Sequence, residues 1–573
     1  MLALVPALLA FAAQEATSAS TMPDEHLLTV YCAGAEKLFV DPKDASLLAA
    51  LRLIDDRLFE LPVEFGEEVP PDVIPMVTRL FSGPSSFKVG ISGEAMPGMP
   101  LPLFAQLSMP ELAAGEGAQV AARVGRLMEL AGMPPASFGP DGLAQLPGPF
   151  PAWFGSSAGN FLVAVGKTSN PGVSLTGHGL PAGVEPSLLF SMDLARLFEL
   201  GVGFAEAYGG EEVAEATKMM KMFGADKLRM DVAAGNDSER GHMVVRMPGY
   251  AKTMREMGTG AAGPMNADLL KFIPQDATWA FVGAFNPRGT IDLVLEMIEE
   301  DFAKATGGGD PLVMLSNMMG GVHLVNDIID HLGTTGGMYA SDTTGGGGFL
   351  STVAFMELSG SDELYDSEET LGGMLNAIAA AQAKGYVQVR YWERDGVDYQ
   401  TLTFPGVPVP FEPTIAHAKD CLFICATPAT AVAAVAQASS GGTSLMNNRR
   451  FTEQLAGSLE NAYSLSFFDA PRLIRDGYGI TNLMCSALAN ATRSPSNPQR
   501  DAGIIMPSYH ELATGAKATV SMAWADGDDF VQHQQADRSI LVGMASGLGF
   551  VASSPLLFLL PAIAVPAMME QMR

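Results

Sequence analysis

Basic residues are scarce in this chain of 573 residues: 34 Lys and Arg stand against 63 Asp and Glu, for a net charge of −29. Phosphate neutralisation needs clustered Lys and Arg, so the balance argues against nucleic acid as a partner. It also disfavours docking on an anionic lipid surface. Charge of either sign is thin at 17%, below the roughly 25% of an average soluble protein. Cysteine is nearly absent, and Cys32, Cys421, Cys425 and Cys485 are too few for a disulfide framework at this length. Cys421 and Cys425 sit in one strand-like run about 13 Å apart, beyond disulfide reach, and either could pair with Cys485. What is plentiful is apolar material, at 48%, with 62 Gly and 33 Met, which excludes wholesale disorder. At ~150 residues per domain the length accommodates three or four domains, or two large ones.

Both ends are apolar. Leu2–Ala13 is an uncharged run closed by Ala10-Phe11-Ala12, the pattern of a cleaved export signal over residues 1–13, although no Lys or Arg precedes it. Its competitor is a buried N-terminal helix. Ile540–Met569 carries no charge and exceeds the ~20 residues that span a bilayer. Pro561 and Pro566 are tolerable in such a span. This predicts a transmembrane anchor over 540–569, against a pair of short buried helices closing a soluble body.

Between the ends, five landmarks recur in the same order. Pro23-Asp-Glu-His-Leu-Leu matches Pro274-Gln-Asp-Ala-Thr-Trp; Gly83-Pro-Ser-Ser-Phe matches Gly333-Thr-Thr-Gly-Gly; Gly159-Asn-Phe-Leu matches Lys419-Asp-Cys-Leu. Asp193-Leu-Ala-Arg-Leu and Asp469-Ala-Pro-Arg-Leu share D-x-x-R-L after an apolar strand, where Asp is a good helix N-cap. Gly224-Ala-Asp-Lys-Leu matches Gly515-Ala-Lys-Ala-Thr. The expectation is an α+β protein of two tandem related copies, 22–258 and 268–538, each a largely antiparallel sheet with packed helices, plus a C-terminal transmembrane helix. Met257–Met265 reads as the Gly-rich joint.

The acidic turn before an apolar strand, and the run Lys419-Asp-Cys-Leu-Phe-Ile-Cys-Ala-Thr-Pro-Ala-Thr-Ala-Val, resemble a family of exported bacterial proteins catalogued as a domain of unknown function. Glu25-His26 stands where that family has Ala, so the second copy matches better. The resemblance implies an envelope location and no site residue.

No motif carries chemistry on spacing alone. Gly155-Ser-Ser157-Ala-Gly159 fits G-x-S-x-G, but a strand follows Ser157 where a nucleophile elbow needs a helix. His323, Asp327 and His331 recur at four-residue steps, too far apart along a helix to share one ion. His510-Glu511 lacks the second His of a zinc protease, because Thr514 occupies that place. Asp526-Gly-Asp-Asp529 lacks EF-hand spacing. Ser85 and Lys88 lie on opposite faces of a strand. Met219, Met220 and Met222 read as core filling or as a soft groove. No catalytic residue, metal ligand or cofactor site is therefore assigned. The expected function is a non-enzymatic, membrane-anchored envelope protein whose acidic extracytoplasmic region binds an unknown protein or small ligand. The alternative is an envelope hydrolase with a site assembled from distant residues.

Overall fold

The computed structural model describes residues 25–553, except 65–78, 80–81, 92–102, 131, 148–150, 158, 167–178, 201–223, 259, 261–262, 307–310 and 347. The export-signal reading, residues 554–569 of the anchor reading and the Met219–Met222 run lie outside the described residues.

The first half contributes β1 (Glu25–Cys32), β2 (Ser85–Ile91), β3 (Leu103–Pro110), β4 (Leu143–Leu146), β5 (Ala152–Ser157), β6 (Asn160–Val165), β7 (Glu185–Asp193), β8 (Arg229–Asn236) and β9 (Gly241–Met247). The second contributes β10 (Ala277–Ala284), β11 (Leu332–Ser341), β12 (Thr352–Leu358), β13 (Gln388–Arg394), β14 (Val397–Thr403), β15 (Thr414–Ala418), β16 (Cys421–Cys425), β17 (Ser464–Phe468), β18 (Thr519–Asp526) and β19 (Asp529–Ala536). All of them join one antiparallel sheet of 19 strands. The expectation of two copies with a sheet each is thus corrected. β9 and β19 pair along their length, from Met247 opposite Phe530 to Gly241 opposite Ala536, and fuse the halves.

Outward from that seam the order is β9-β8-β7-β1-β2-β3-β6-β5-β4 on one side. On the other it is β19-β18-β17-β10-β11-β12-β16-β15-β14, with β13 added at the edge. The register shifts between His26 and Leu28 in the first half and between Ala277 and Trp279 in the second. Helices occupy corresponding connections: α1 (Ala45–Glu64) follows β1, α2 (Glu116–Leu130) follows β3, α3 (Pro287–Thr306) follows β10 and α4 (Ser361–Gln382) follows β12.

In the second half both sheet faces are packed. On one, α5 (Pro428–Ser440) covers Tyr339, Val353, Phe355, Phe423, Cys425 and Phe467, the largest apolar cluster described. On the other, α6 (Ala470–Thr492) and α7 (Ile540–Ser553) cross over Trp279, Phe281 and Phe468, with Phe550 stacked edge-on against all three.

Helix α7 overturns the anchor expectation. Leu541, Val542 and Ala545 are at most 1% exposed within the folded body, and among the described residues no helix is long and apolar enough to cross a membrane. Its small residues serve close packing on α6: a Cβ on Gly549 would lie 1.9 Å from the Leu473 carbonyl oxygen, and one on Gly477 as close to that of Ala545. The N-terminus of α7 is held from the far end of the chain. The fully buried Asp44 carboxylate accepts from Ser539 Oγ (2.8 Å), Ile540 N (2.8 Å) and Leu541 N (3.0 Å). Burial pushes the Asp44 carboxyl up, against the downward pull of those donors.

The two D-x-x-R-L aspartates diverge. Asp193 Oδ1 accepts from Arg196 N at 2.9 Å, as a cap does. Asp469 sits at the cap position of α6, but its carboxylate receives Arg450 Nη1 at 2.9 and 3.0 Å. At the end of the expected joint, Met265 is buried and donates its N–H to the Ala462 carbonyl.

Replacing Asp44 with Ala strands three donors at the buried start of α7. Denaturant titration should show a loss of about 2 kcal/mol; a loss below about 0.5 kcal/mol would mean that α7 does not depend on this cap.

Candidate functional site

On β2 and β3 the first half-sheet mixes polar side chains into a covered face, beside the buried Phe104. Along β2 and β3 the apolar Phe87, Val89 and Leu107 are half-buried, while Ser86, Lys88, Gln106 and Ser108 on the opposite face are buried, Lys88 to 2% exposure. Buried polar side chains are the informative exception in a protein interior. The registers make these four a block, with Ser86 opposite Ser108 and Lys88 opposite Gln106.

The block belongs to a longer row across the sheet. Arg246, Asp231, Ser191, Thr29, Lys88 and Gln106 are successive cross-strand partners on β9, β8, β7, β1, β2 and β3. Ser191 Oγ donates to Asp231 Oδ1 at 2.5 Å, and Arg246 Nε to Asp529 Oδ2 at 2.8 Å. The corresponding row of the second half is Gln535, Val520, Phe467, Ala280, Tyr339 and Val353. From Val520 onward every member is fully buried in the apolar core. One topology thus carries a wholly apolar row on one side of the seam and a mixed face on the other, where Lys88 and Gln106 lie beside the buried Phe104, Leu162, Ala233 and Val244. The opposite face of the first half has its own core of Met109, Phe154 and Phe161 under α2. Burial pulls the Lys88 ammonium below the usual lysine range.

A second polar cluster lies on the seam. His242 Nε2 is 2.8 Å from Asp237 Oδ2, and His242 Nδ1 is 3.2 Å from His533 Nε2. One proton arrangement satisfies both contacts: His242 donates to Asp237, and His533 donates to His242. Burial raises the Asp237 carboxyl, but His242 and the N–H groups of Glu239 and Arg240 overcome it and hold the group at about 2. Burial, then the neighbouring His242 ring, pushes His533 down to about 4.

The motifs read from spacing disperse. Ser157 ends β5 and pairs with Asn160 across a tight turn, so strand follows strand. His323 precedes an irregular turn, where its N–H donates to Asp327 Oδ2 at 2.8 Å, and His331 lies in a separate helical turn. Among the described residues no group of three His, Cys, Asp or Glu is placed to hold a metal ion. His510 lies in a five-residue helix opened by a Ser508–Glu511 capping box. Asp526, Asp528 and Asp529 pair with Arg246 and Arg255. Ser85 faces away from Lys88, as a strand requires. The four cysteines are free, and burial pushes Cys421 and Cys425 up to about 12, which leaves them inert thiols.

No family model, curated protein or solved structure matches the chain.

A lysine whose folded pKa is depressed releases its proton more readily in the native state than in the unfolded chain. The stability it contributes therefore grows as pH rises from its depressed value to about 10.5. Unfolding midpoints of wild type and Lys88→Met, compared from pH 8 to pH 10.5, should converge in favour of wild type. A gap independent of pH would show that Lys88 is not held in a desolvated site.

Proposed function

We propose that this is a non-enzymatic binding protein of the cell envelope. Its second half-sheet is the packed scaffold, and its first half-sheet holds a small polar ligand over Ser86, Lys88, Gln106 and Ser108. The observation that carries the reading is the paired rows: where the scaffold half spends the position on Tyr339 and Val353, the first half buries Lys88 and Gln106. Burying an ammonium and an amide is costly even where both are partnered, and the reading takes that cost as the mark of a ligand-binding role. The envelope address rests on Leu2–Ala13 and on the resemblance to the exported family.

The hydrolase alternative finds less support. Asp237–His242 and Glu368–His417 are carboxylate–imidazole pairs at 2.8 and 2.9 Å. Yet His242 passes its contact to a second imidazole, and among the described residues neither histidine hydrogen-bonds a serine or cysteine hydroxyl or thiol.

The test is a thermal-shift panel of small carboxylates, phosphates, polyols and amides on wild type and on Lys88→Met/Gln106→Leu. The proposal expects at least one class to raise the wild-type Tm and to leave the variant unmoved while it still unfolds cooperatively. No shift with any class, or equal shifts in both proteins, refutes it.

A further inference from the structure

The seam between the half-sheets carries more than ladder hydrogen bonds. His242 on β9 and His533 on β19 meet with ring centroids 5.4 Å apart, both under 10% exposed. They are the two buried histidines described, and they come from opposite halves. The same hairpin that supplies Asp237 sends Arg240 Nη1 to Gln535 Oε1 at 3.0 Å. Arg538, just past β19, reaches the Asp237 carbonyl oxygen. Met522 on β18 and Val244 on β9 flank His533, so neither neighbouring strand offers it a carboxylate. Gly179, which approaches Val244, brings no charge. Asp237 is committed to the far nitrogen of His242, and Glu239 pairs with Lys517.

We propose that the β9–β19 seam is an acid-sensitive joint, in which a proton taken up by the buried His533, where it faces His242, opens the ladder between the half-sheets before either half unfolds. The shared proton explains the device. In the neutral pair one N–H lies between the facing nitrogens and the rings bond; a proton taken up by His533 makes one buried imidazolium that has no carboxylate of its own, because Asp237 is on the far nitrogen of His242. The sign follows from His533. Its folded value of about 4 lies below the ordinary 6.5, so the opened seam binds the proton more readily. Closure is therefore fully favoured above about 6.5 and weakens as pH falls towards 4. At pH 5 these two values favour opening by about twenty-fold over neutral pH.

Hydrogen–deuterium exchange on the full chain tests this, with rates corrected for intrinsic pH dependence. Between pH 7.5 and pH 5, amides of 241–247 and 529–536 should lose roughly ten- to thirty-fold of their protection, while those of β1 and β10 keep theirs. His533→Gln, which keeps a donor and an acceptor but cannot take the charge, should flatten the response. Unchanged seam protection in wild type overturns the proposal, whatever the variant does. So does a uniform loss across all strands, which marks general acid unfolding, or a His533→Gln seam that still opens. Ligand shifts play no part in these outcomes, so they stand apart from the binding proposal.

Discussion

Seven cross-strand pairs between β9 and β19 hold this architecture together. Without them each half would end in an unpaired strand, and an open edge is a template for wrong pairing. With them, two half-sheets of like order become one surface. Ion pairs beside it reinforce this ladder: Arg246 with Asp526 and Asp529, Arg255 with Asp528, Lys517 with Glu239. These exposed pairs each contribute little, and their value is in fixing register. The Asp44 cap and the packing of α1 against α6 add a buried tie on another part of the fold.

The two halves of the sheet share a strand order but not a filling. In the second half the sheet is closed between helices on both faces, and its central row is Phe467, Ala280, Tyr339 and Val353. The same places in the first half carry Ser191, Thr29, Lys88 and Gln106. Apolar burial stabilises by about 25 cal/mol per Å², so a half with a complete core can support a neighbour that gives up part of its own. The proposed division of labour, scaffold on one side of the seam and ligand face on the other, follows from that asymmetry.

Parts of this were legible in the residues. The antiparallel strands and the polar turn between β8 and β9 follow from alternation and turn composition, and Asp193 caps the helix it precedes. The single sheet was not legible, because nothing local in Gly241–Met247 or Asp529–Ala536 says that they pair across almost three hundred residues. The anchor expectation failed for a definable reason: an uncharged run rich in Gly, Ala and Ser suits a bilayer and a tight soluble helix crossing equally, and hydropathy cannot separate them. Asp469 holds the expected cap position, but its carboxylate is taken chiefly by Arg450, whose approach the local residues do not announce. The edge strand β13 was missed although Asp395-Gly396, both with positive φ, is a standard hairpin signal. The buried block left a trace, too. Ser86 and Lys88 alternate with Phe87 and Val89, but alternation alone does not say which face is covered.

The seam can be read directly by disulfide trapping. Met243 and Gln534 are direct partners across it. In Met243→Cys/Gln534→Cys the two thiols should oxidise to an intramolecular bond under mild conditions. Met243→Cys/His533→Cys, whose side chains point to opposite faces, should stay reduced. Cross-linking of the first pair alone is the result expected of one continuous sheet. A first pair that stays reduced, or a second that links as readily, would contradict the shared ladder and the architecture built on it.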